Sequence, residues 1–286
     1  MIISGICPPD PYIVDLEVIS GILEPGNNAT VTLTPRTGAI NTGIRNLVLF
    51  TCGQSLLCNT CPTVYIPVNF NAVDNLNIYD GAIYNVGTVG LLGCTNSIPA
   101  GTLGLGNLSA RIADKLITNG RFDRVIIVPI GMGGSMISEW ATGSVSNRFR
   151  VAMRRLAARG IVPGMTNVTF GQVWGLGETD AVFGTTAADY ISRFGVYLSN
   201  CNAAGFVGYT FVNLETLIHN VTYPVIHNAQ ASLPNGVNIF VGGDLDTLTG
   251  PTNRQPTPDD THLTDTGAAS AASLIYNAMH AAGFPY

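Results

Sequence analysis

From residue 44 onwards, short runs of apolar residues alternate with segments of helical periodicity, and this alternation restricts the possible folds more than any other feature. Apolar runs without polar alternation are typical of strands buried on both faces of a sheet. Strands that alternate with helices predict a parallel sheet with helices on both sides. The apolar runs cover residues 47–51, 125–129, 168–174, 206–211 and 237–241, and the helical segments cover 108–118, 148–158, 187–200 and 267–282.

The first 43 residues have a different character. They contain five prolines, and residues 29–34 alternate between apolar and polar side chains. This is the chemistry of strands and turns, without helical periodicity. We therefore predict a small β-rich extension over residues 1–43, or the end of a preceding domain, followed by one α/β domain over residues 44–286.

Composition and charge exclude several classes of protein. Hydrophobic residues make up 46% of the chain and charged residues 11%, against about a quarter in an average protein, which argues against disorder. The net charge of −5 disfavours a nucleic-acid-binding protein. We interpret the single basic cluster as the solvent-facing side of a helix; it consists of Arg148, Arg150, Arg154, Arg155 and Arg159.

Localisation is left open by the sequence. No apolar run reaches the roughly 18 residues that span a bilayer, so we expect no membrane span. The first residues lack the basic region and the long apolar core of a signal peptide. The protein is therefore expected either to stay inside the cell or to be exported with its signal removed, and nothing in the sequence indicates its oligomeric state.

The six cysteines do not suggest a disulfide framework in a chain of 286 residues. Cys58 and Cys61 form the one suggestive pair. A zinc site would need a second pair or nearby histidines, and none follows at the usual spacing. We expect a local disulfide or two thiols there, with a redox motif as the alternative, and no metal or cofactor.

A candidate nucleophile follows the first predicted strand. Ligand sites in parallel sheets lie beyond the carboxyl ends of the strands. Ser55 stands there, in the sequence Cys-Gly-Gln-Ser that begins at Cys52. Gly53 permits the tight backbone that would expose the serine hydroxyl. Taken alone the signal is weak, because many serines in such places satisfy a turn or cap a helix.

A candidate acid–base pair precedes the last helix. Asp259 stands three residues before His262. A carboxylate at this spacing can accept a hydrogen bond from one ring nitrogen and leave the other nitrogen to act as a base. The alternative interpretation is that this polar cluster, which includes Thr264 and Asp265, only caps the helix.

A serine nucleophile also needs hydrogen-bond donors for the oxyanion that forms during acyl transfer. Two loops could supply them. Residues 104–107 precede a predicted helix, where backbone amides are free. Residues 175–180 follow the strand that ends at Trp174. A plain helix start and a plain turn are the respective alternatives.

Taken in order, these motifs resemble the SGNH hydrolase superfamily, and within it the sialate O-acetylesterase-like group, which is related to carbohydrate acetyl esterases. The resemblance covers the chain from about residue 44 to its end. It is carried by Gly53-Gln54-Ser55, Gly106-Asn107 with the helix after it, a glycine-rich segment over residues 128–140, the segment over residues 174–180, and Asp259-x-x-His262.

The resemblance implies a flavodoxin-like three-layer α/β/α sandwich with a five-stranded parallel sheet. It also implies a serine esterase without metal or cofactor that removes short acyl groups, acetyl above all, from carbohydrate or other small esters. Ser55 would be the nucleophile, His262 the base and Asp259 the residue that orients it. The remaining implied site residues are Ser55, Gly106 and Asn107 for the oxyanion, and Gln54, Gly134, Glu178 and Thr179 for substrate binding.

Two departures from the family pattern keep other functions open. Leu56 replaces the asparagine after the serine, and Leu176 replaces a glutamine that helps to bind the oxyanion. Losing one such donor costs roughly 100- to 1,000-fold in rate, and we expect the Asn107 amide to substitute for it. The alternatives are a broad-specificity esterase, a non-catalytic carbohydrate-binding descendant of the fold, and a thiol redox protein using Cys58 and Cys61.

Overall fold

The computed structural model describes residues 33–87, 90–94, 106–143 and 145–284. The strands are β1 (Asn46–Gly53), β2 (Val73–Leu76), β3 (Ile83–Asn85), β4 (Arg124–Pro129), β5 (Val168–Gly175), β6 (Tyr209–Leu214) and β7 (Ile239–Asp244). They form one sheet in the order β3-β2-β4-β1-β5-β6-β7. All neighbouring strands are parallel except β2 and β3, which are antiparallel.

Helices cover both faces of the sheet. They are α1 (Leu108–Thr118), α2 (Ile137–Ala141), α3 (Arg148–Ala158), α4 (Glu178–Val182), α5 (Ala187–Ala203), α6 (Pro224–Ser232) and α7 (Asp265–Ala281). In β1, alternate side chains point into two hydrophobic clusters. Val48 and Phe50 pack with α2, α3, α5 and α6, while Leu47 and Leu49 pack with α1 and α7. The predicted three-layer α/β/α sandwich is therefore confirmed.

The predicted number of five strands is wrong, because the sheet contains seven. The five apolar runs correspond to β1, β4, β5, β6 and β7, and the two additional strands lie at one edge. β2 has four residues and β3 has three, and β2 includes the buried polar residues Asp74 and Asn75. Strands so short and so polar leave no apolar run in the sequence.

The interpretation of the basic cluster as a solvent-facing helix side is wrong for two of its members. Arg148 and Arg155, both on α3, are buried. The Arg148 guanidinium donates to the main-chain carbonyls of Ile130, at 2.7 Å, and of Gly93. A buried charge is tolerated when such hydrogen bonds satisfy it, so Arg148 connects α3 to two loops of the core.

Most of the predicted N-terminal extension lies outside the described residues, which begin at residue 33. Residues 33–43 contain no helix or strand. They lie against the edge of the sheet, where the Arg36 amide donates to the Ile83 carbonyl at 2.7 Å. The Arg36 side chain also pairs with the buried Asp74 at 2.5 Å.

Candidate active site

The predicted site residues lie at the carboxyl end of the sheet. Ser55 follows β1, and Thr179, predicted to bind substrate, lies in α4, the helix after β5. Asp259 and His262 lie between β7 and α7. This is the edge at which parallel α/β sheets bind ligands.

A sharp turn between β1 and Ser55 depends on two glycines that lie side by side in β1 and β5. Gly53 has φ of +130°, and a Cβ at this position would lie 1.7 Å from the Gly175 carbonyl oxygen. Only glycine fits there. The Gln54 amide donates to the same carbonyl oxygen at 2.8 Å. The chain is thereby fixed directly before Ser55.

Ser55 begins a 3₁₀ turn over Ser55–Leu57 and is half-buried. Its carbonyl oxygen accepts hydrogen bonds from the Cys58 amide, at 2.9 Å, and from the Thr60 hydroxyl, at 3.0 Å. Within the described ranges, neither its backbone amide nor its hydroxyl has a hydrogen-bond partner. The turn is therefore rigidly held while the reactive groups of Ser55 stay free.

Asp259 and His262 form a hydrogen-bonded pair. The His262 Nδ1 lies 2.8 and 2.9 Å from the two Asp259 carboxylate oxygens, and the His262 amide donates to Asp259 Oδ1 at 3.0 Å. Because a carboxylate only accepts, Nδ1 carries the proton and Nε2 is left as an acceptor. Nε2 is buried and has no partner among the residues that the structure describes.

The environment favours the charged form of the Asp259 carboxylate. Partial burial acts to raise its pKa, but hydrogen bonds and the charge of His262, together with the amides of His262 and Thr261, outweigh burial and lower the pKa of Asp259 below its ordinary value. An ionised Asp259 can orient the imidazole and stabilise the imidazolium that forms when Nε2 takes a proton.

A buried arginine holds the loop that carries this pair. Arg254 is 1% exposed, and its guanidinium donates to three main-chain carbonyls at 2.6 to 2.7 Å, those of Leu245, Leu248 and Thr261. These bonds bridge the two ends of the loop. The position of His262 is therefore fixed by the protein core.

Gln255 joins the His262 loop to the Ser55 turn. Its backbone amide donates to the His262 carbonyl at 2.8 Å, and its side chain donates to the Thr60 carbonyl at 2.6 Å. The Thr60 hydroxyl in turn donates to the Ser55 carbonyl. This chain of hydrogen bonds brings the two predicted catalytic segments together.

The candidate oxyanion residues differ from what the resemblance implies. The Gly106 amide, expected to be free, donates to the Cys61 carbonyl at 3.1 Å. Asn107 caps α1, since its Oδ1 accepts from the Ala110 amide at 2.7 Å. Its Nδ2 is buried and lacks a partner in the described part of the chain. Gly104 and Leu105, from the same predicted loop, lie outside the described residues.

An unpaired buried donor such as Asn107 Nδ2 is uncommon, because leaving it unsatisfied costs roughly 1–3 kcal/mol. Because such a donor is uncommon, its presence next to a candidate active site indicates a functional role. Among the described residues, His262 Nε2 is thus a buried acceptor and Asn107 Nδ2 a buried donor without a partner, and both lie in segments that adjoin the Ser55 turn.

The four residues predicted to bind substrate occupy different environments. Gly134 is exposed in the loop after β4, and Thr179 is half-buried, with its amide 3.5 Å from the Gln54 Oε1. Gln54 itself is buried. Glu178 is 1% exposed, so its side chain lies beneath the surface, and the prediction that it contacts substrate is not supported.

Glu178 is one of three buried acidic residues that interact electrostatically, together with Glu215 and Asp246. Neither of its carboxylate oxygens has a partner in the described residues. Burial, reinforced by the charge of Asp246 and only partly offset by Arg254 and nearby amides, raises the pKa of Glu178 to about 8. Burial and the charge of Glu178 raise the pKa of Glu215 well above its ordinary value. Glu178 is therefore largely protonated at neutral pH.

The two leucines that depart from the family pattern serve the core. Leu56 is 1% exposed and Leu176 is fully buried, and each packs in one of the two main clusters. The Leu176 carbonyl accepts from the Tyr190 hydroxyl and from the Gln230 side chain. At these positions the chain has apolar packing in place of side-chain amides.

A second histidine–carboxylate pair was missed in the sequence. The His219 Nδ1 lies 2.6 Å from Asp260 Oδ1, and the His219 amide donates to the Thr261 hydroxyl at 3.2 Å. His219, Asn220 and Asp260 all have positive φ, of 49°, 59° and 36°. Such strain in residues other than glycine clusters at functional sites. The 41-residue separation gave no local motif, although His219 follows a predicted strand.

The two cysteines of the Cys-x-x-Cys motif are present as buried thiols. Burial raises the pKa of Cys61 to about 12. Redox-active cysteines react as thiolates and need a low pKa and solvent access. The thiol redox interpretation is therefore disfavoured, and the pair is part of the hydrophobic core.

The described residues contain no group of three or more histidine, cysteine or acidic side chains placed to bind a metal ion. They also include no helix that is both long enough and apolar enough to cross a bilayer.

Solved structures share this architecture. A protein from Arabidopsis thaliana matches with a TM-score of 0.60 at 13% sequence identity, over 83% of this chain and 98% of its own. A carbohydrate acetylesterase from Xanthomonas citri matches with a TM-score of 0.54 at 13% identity. The second match covers 83% of this chain but only 56% of the acetylesterase.

At 13% identity these likenesses establish the fold. No protein-family model matches the sequence. Comparison with curated proteins also gave no match.

Proposed function

We propose that this chain is a serine ester hydrolase in which Ser55 is the nucleophile, His262 the general base and Asp259 the residue that orients the base. One observation carries the proposal. The Asp259 carboxylate holds His262 Nδ1, and the opposite nitrogen, Nε2, is buried without a partner in a loop joined to the Ser55 turn. A base held in this way fits proton transfer from a serine.

The proposed reaction has two acyl-transfer steps. His262 Nε2 takes the Ser55 proton as the Ser55 oxygen attacks the ester carbonyl, and the same proton then passes to the departing alcohol. Water next attacks the acyl-enzyme, with His262 again as base. Ser55 and His262 Nε2 are not hydrogen-bonded here, and such contacts often shorten only when substrate is bound.

The oxyanion would be bound by the Ser55 backbone amide and the Asn107 Nδ2, two donors that have no partner among the described residues. The capping bond from the Ala110 amide fixes the orientation of the Asn107 side chain. A donor that is already oriented stabilises developing charge without further reorganisation. Gly106 is not assigned this role, because its amide is already engaged.

The proposed substrates are short acyl esters, acetyl above all, of carbohydrates or other small alcohols. The order of the motifs supports this class, as does a fold shared with a carbohydrate acetylesterase. No step requires a metal or a cofactor.

The competing proposal is a non-catalytic carbohydrate-binding protein. It is favoured by the loss of two expected oxyanion donors, the side chain replaced by Leu176 and the engaged amide of Gly106. It leaves unexplained why Asp259 orients a histidine whose other nitrogen stays unpaired.

Hydrolysis of p-nitrophenyl acetate at neutral pH without added metal separates the two. We expect wild-type turnover that Ser55→Ala lowers by up to about a million-fold, as when residues that act as a unit are removed. Ser146→Ala is the matched control, since the Ser146 hydroxyl donates to the Gly143 carbonyl and has no other partner among the described residues. Absence of wild-type turnover on this ester and on acetylated sugars would favour the binding protein.

A further inference from the structure

We propose that a pocket lined by three arginines, at the β3 edge of the sheet and away from the candidate active site, binds a phosphate or sulfate group. The pocket has a volume of about 260 Å³. Its cationic side chains are those of Arg36, Arg124 and Arg159. They come from the segment that precedes β1, from the start of β4 and from the residue after α3. The proposal does not depend on the proposed esterase function.

The pocket is distinct from the site around Ser55. Arg124 is the first residue of β4 and pairs in register with Asn46, the first residue of β1. Ser55 lies just beyond Gly53, at the opposite end of β1. The extended strand from Asn46 to Gly53 spans roughly 23 Å. An ion held by Arg124 is therefore far from the proposed nucleophile.

The arginines of the pocket carry more positive charge than nearby carboxylates neutralise. Asp74 is buried, and each of its carboxylate oxygens accepts from an arginine: Oδ1 from Arg36 Nε at 2.5 Å, and Oδ2 from Arg124 Nε at 2.7 Å. Arg159 has no carboxylate partner in the described part of the chain, and its Nε donates to the Gly81 carbonyl. Three guanidinium groups and one carboxylate leave a surplus of two positive charges. A dianion would balance this surplus.

Several donors of the pocket have no hydrogen-bond partner among the described residues. They are the Nη1 atoms of Arg36 and Arg124, both Nη atoms of Arg159, and the backbone amides of residues 37–39. The three arginine side chains are half-buried, so a ligand in the pocket can reach them. Guanidinium groups and successive backbone amides are common ligands of phosphate and sulfate oxygens.

Apolar side chains form the remaining wall of the pocket. Ile40, Ile83 and Ile161 line it. Ile83 and Ile161 are buried members of the hydrophobic cluster that packs against α3. Charges attract more strongly beside apolar groups than in bulk water, because less solvent screens them. A concave surface of one charge sign with apolar walls therefore concentrates anions.

The size and charge of the pocket restrict its occupant. Pockets for drug-sized molecules have volumes of roughly 300–1,000 Å³, so this pocket accommodates a small ion or the anionic group of a larger molecule. A carboxylate has a single charge and would balance only half of the surplus. A phosphate or sulfate group can carry two charges and has several oxygens with which to accept from different arginines. This is the chemistry that the pocket fits best.

Isothermal titration calorimetry with inorganic phosphate, sulfate and glucose 6-phosphate tests the proposal, with chloride at the same ionic strength as the reference. We expect one saturable site with a higher affinity for phosphate and sulfate than for chloride. Equal affinities for phosphate and glucose 6-phosphate would identify a free ion as the ligand. Tighter binding of glucose 6-phosphate would identify a phosphorylated molecule, and either result supports the site.

Thr37→Asp places a negative charge at the pocket without removing an arginine. Thr37 lines the pocket and is exposed, and its hydroxyl has no partner among the described residues, so we expect an unchanged Tm. A like charge within a few ångströms should weaken phosphate binding by at least about tenfold. Thr37→Asn has nearly the same shape without the charge. This matched control should bind phosphate as the wild type does.

Arg159→Gln removes the arginine that lacks a carboxylate partner. Loss of hydrogen bonds from a charged donor should weaken phosphate binding roughly 10- to 100-fold. Lys115→Gln removes one positive charge from α1, outside the pocket, and should leave the affinity unchanged. If Arg159→Gln fails to fold, the comparison of Thr37→Asp with Thr37→Asn decides.

Three results would overturn the site. They are the absence of saturable binding at millimolar concentrations, an affinity no higher than that for chloride, and equal affinities in Thr37→Asp and Thr37→Asn. Equal phosphate affinities in Arg159→Gln and the wild type would also overturn it, because phosphate would then bind elsewhere. Since ester turnover is not measured, failure of the proposed esterase function would not change these outcomes.

Discussion

The candidate site has an acid–base half and an oxyanion half, and hydrogen bonds hold the acid–base half more firmly. In the acid–base half, His262 donates to Asp259 through its amide and through Nδ1, and its carbonyl accepts from the Gln255 amide. Arg254 donates to the carbonyl of the adjacent Thr261. In the oxyanion half, the Gly106 amide is engaged, while the Ser55 amide and Asn107 Nδ2 have no partner among the described residues. The first half comes from one local segment, and the second is assembled from loops far apart in the sequence.

This difference shows which part of a catalytic site tolerates change. A base must be oriented by a specific partner, and loss of that partner leaves the wrong nitrogen protonated. An oxyanion needs only donors at suitable positions. Leu176 can therefore replace a glutamine if a donor from another loop, such as Asn107, serves the same purpose.

The largest effect should follow from disturbing the acid–base half. Asp259→Asn can donate to His262 Nδ1 and so place the ring proton on Nε2, where it blocks the base. We expect kcat to fall by about 10,000-fold, measured with p-nitrophenyl acetate. Asp260→Asn, which changes the neighbouring carboxylate that bonds to His219, should have a far smaller effect. Equal losses in both variants would contradict the assignment.

A smaller effect is expected in the oxyanion half. Asn107→Asp keeps an oxygen that can accept from the Ala110 amide and cap α1, but it removes the Nδ2 donor. We expect kcat to fall roughly 100- to 1,000-fold with little change in Tm. Asn107→Ser, which also retains a capping oxygen, provides the uncharged control. Unchanged turnover in both variants would mean that Asn107 is not an oxyanion donor.

A further prediction concerns stability rather than rate, and it rests on the buried Glu178. The pKa of Glu178 is about 8 in the folded protein, against an ordinary value of 4.5. The folded state therefore binds more protons between these values, and its stability falls as pH rises from about 4.5 to 8, by at most about 1.4 kcal/mol per pH unit. Glu178→Gln should reduce this decline.

Urea unfolding at pH 5 and at pH 8 measures this prediction. The stability of Glu178→Gln relative to the wild type should increase between the two values. Because the pKa of Glu215 is also raised, part of the decline should persist in the variant. An identical pH dependence in both proteins would show that Glu178 is not protonated in the folded state.

Much of the fold could be predicted because its central elements are long and apolar. The boundaries of α1 and α3 agree with the predicted segments, and all five apolar runs lie in or next to strands. β2 and β3 could not be found, because three or four residues with polar members give no periodic signal. The burial of Arg148 also depends on main-chain carbonyls from distant loops, which no local pattern records.

The same distinction applies to the site. The pairing of Asp259 with His262 is a three-residue contact that the spacing predicts. The contact between His219 and Asp260 spans 41 residues, and the bond from the Gly106 amide to Cys61 spans 45, so neither leaves a motif. Their positions follow from tertiary structure, which the sequence pattern specifies only in outline.

Covalent labelling with an organophosphate such as paraoxon is the sharpest test of the proposal that Ser55 is a nucleophile activated by His262. We expect one diethylphosphoryl group per chain by intact mass, mapped to Ser55 by peptide sequencing. Labelling should be absent in Ser55→Ala and strongly slowed in His262→Ala. Labelling of another residue, or equal rates in the wild type and His262→Ala, would contradict it.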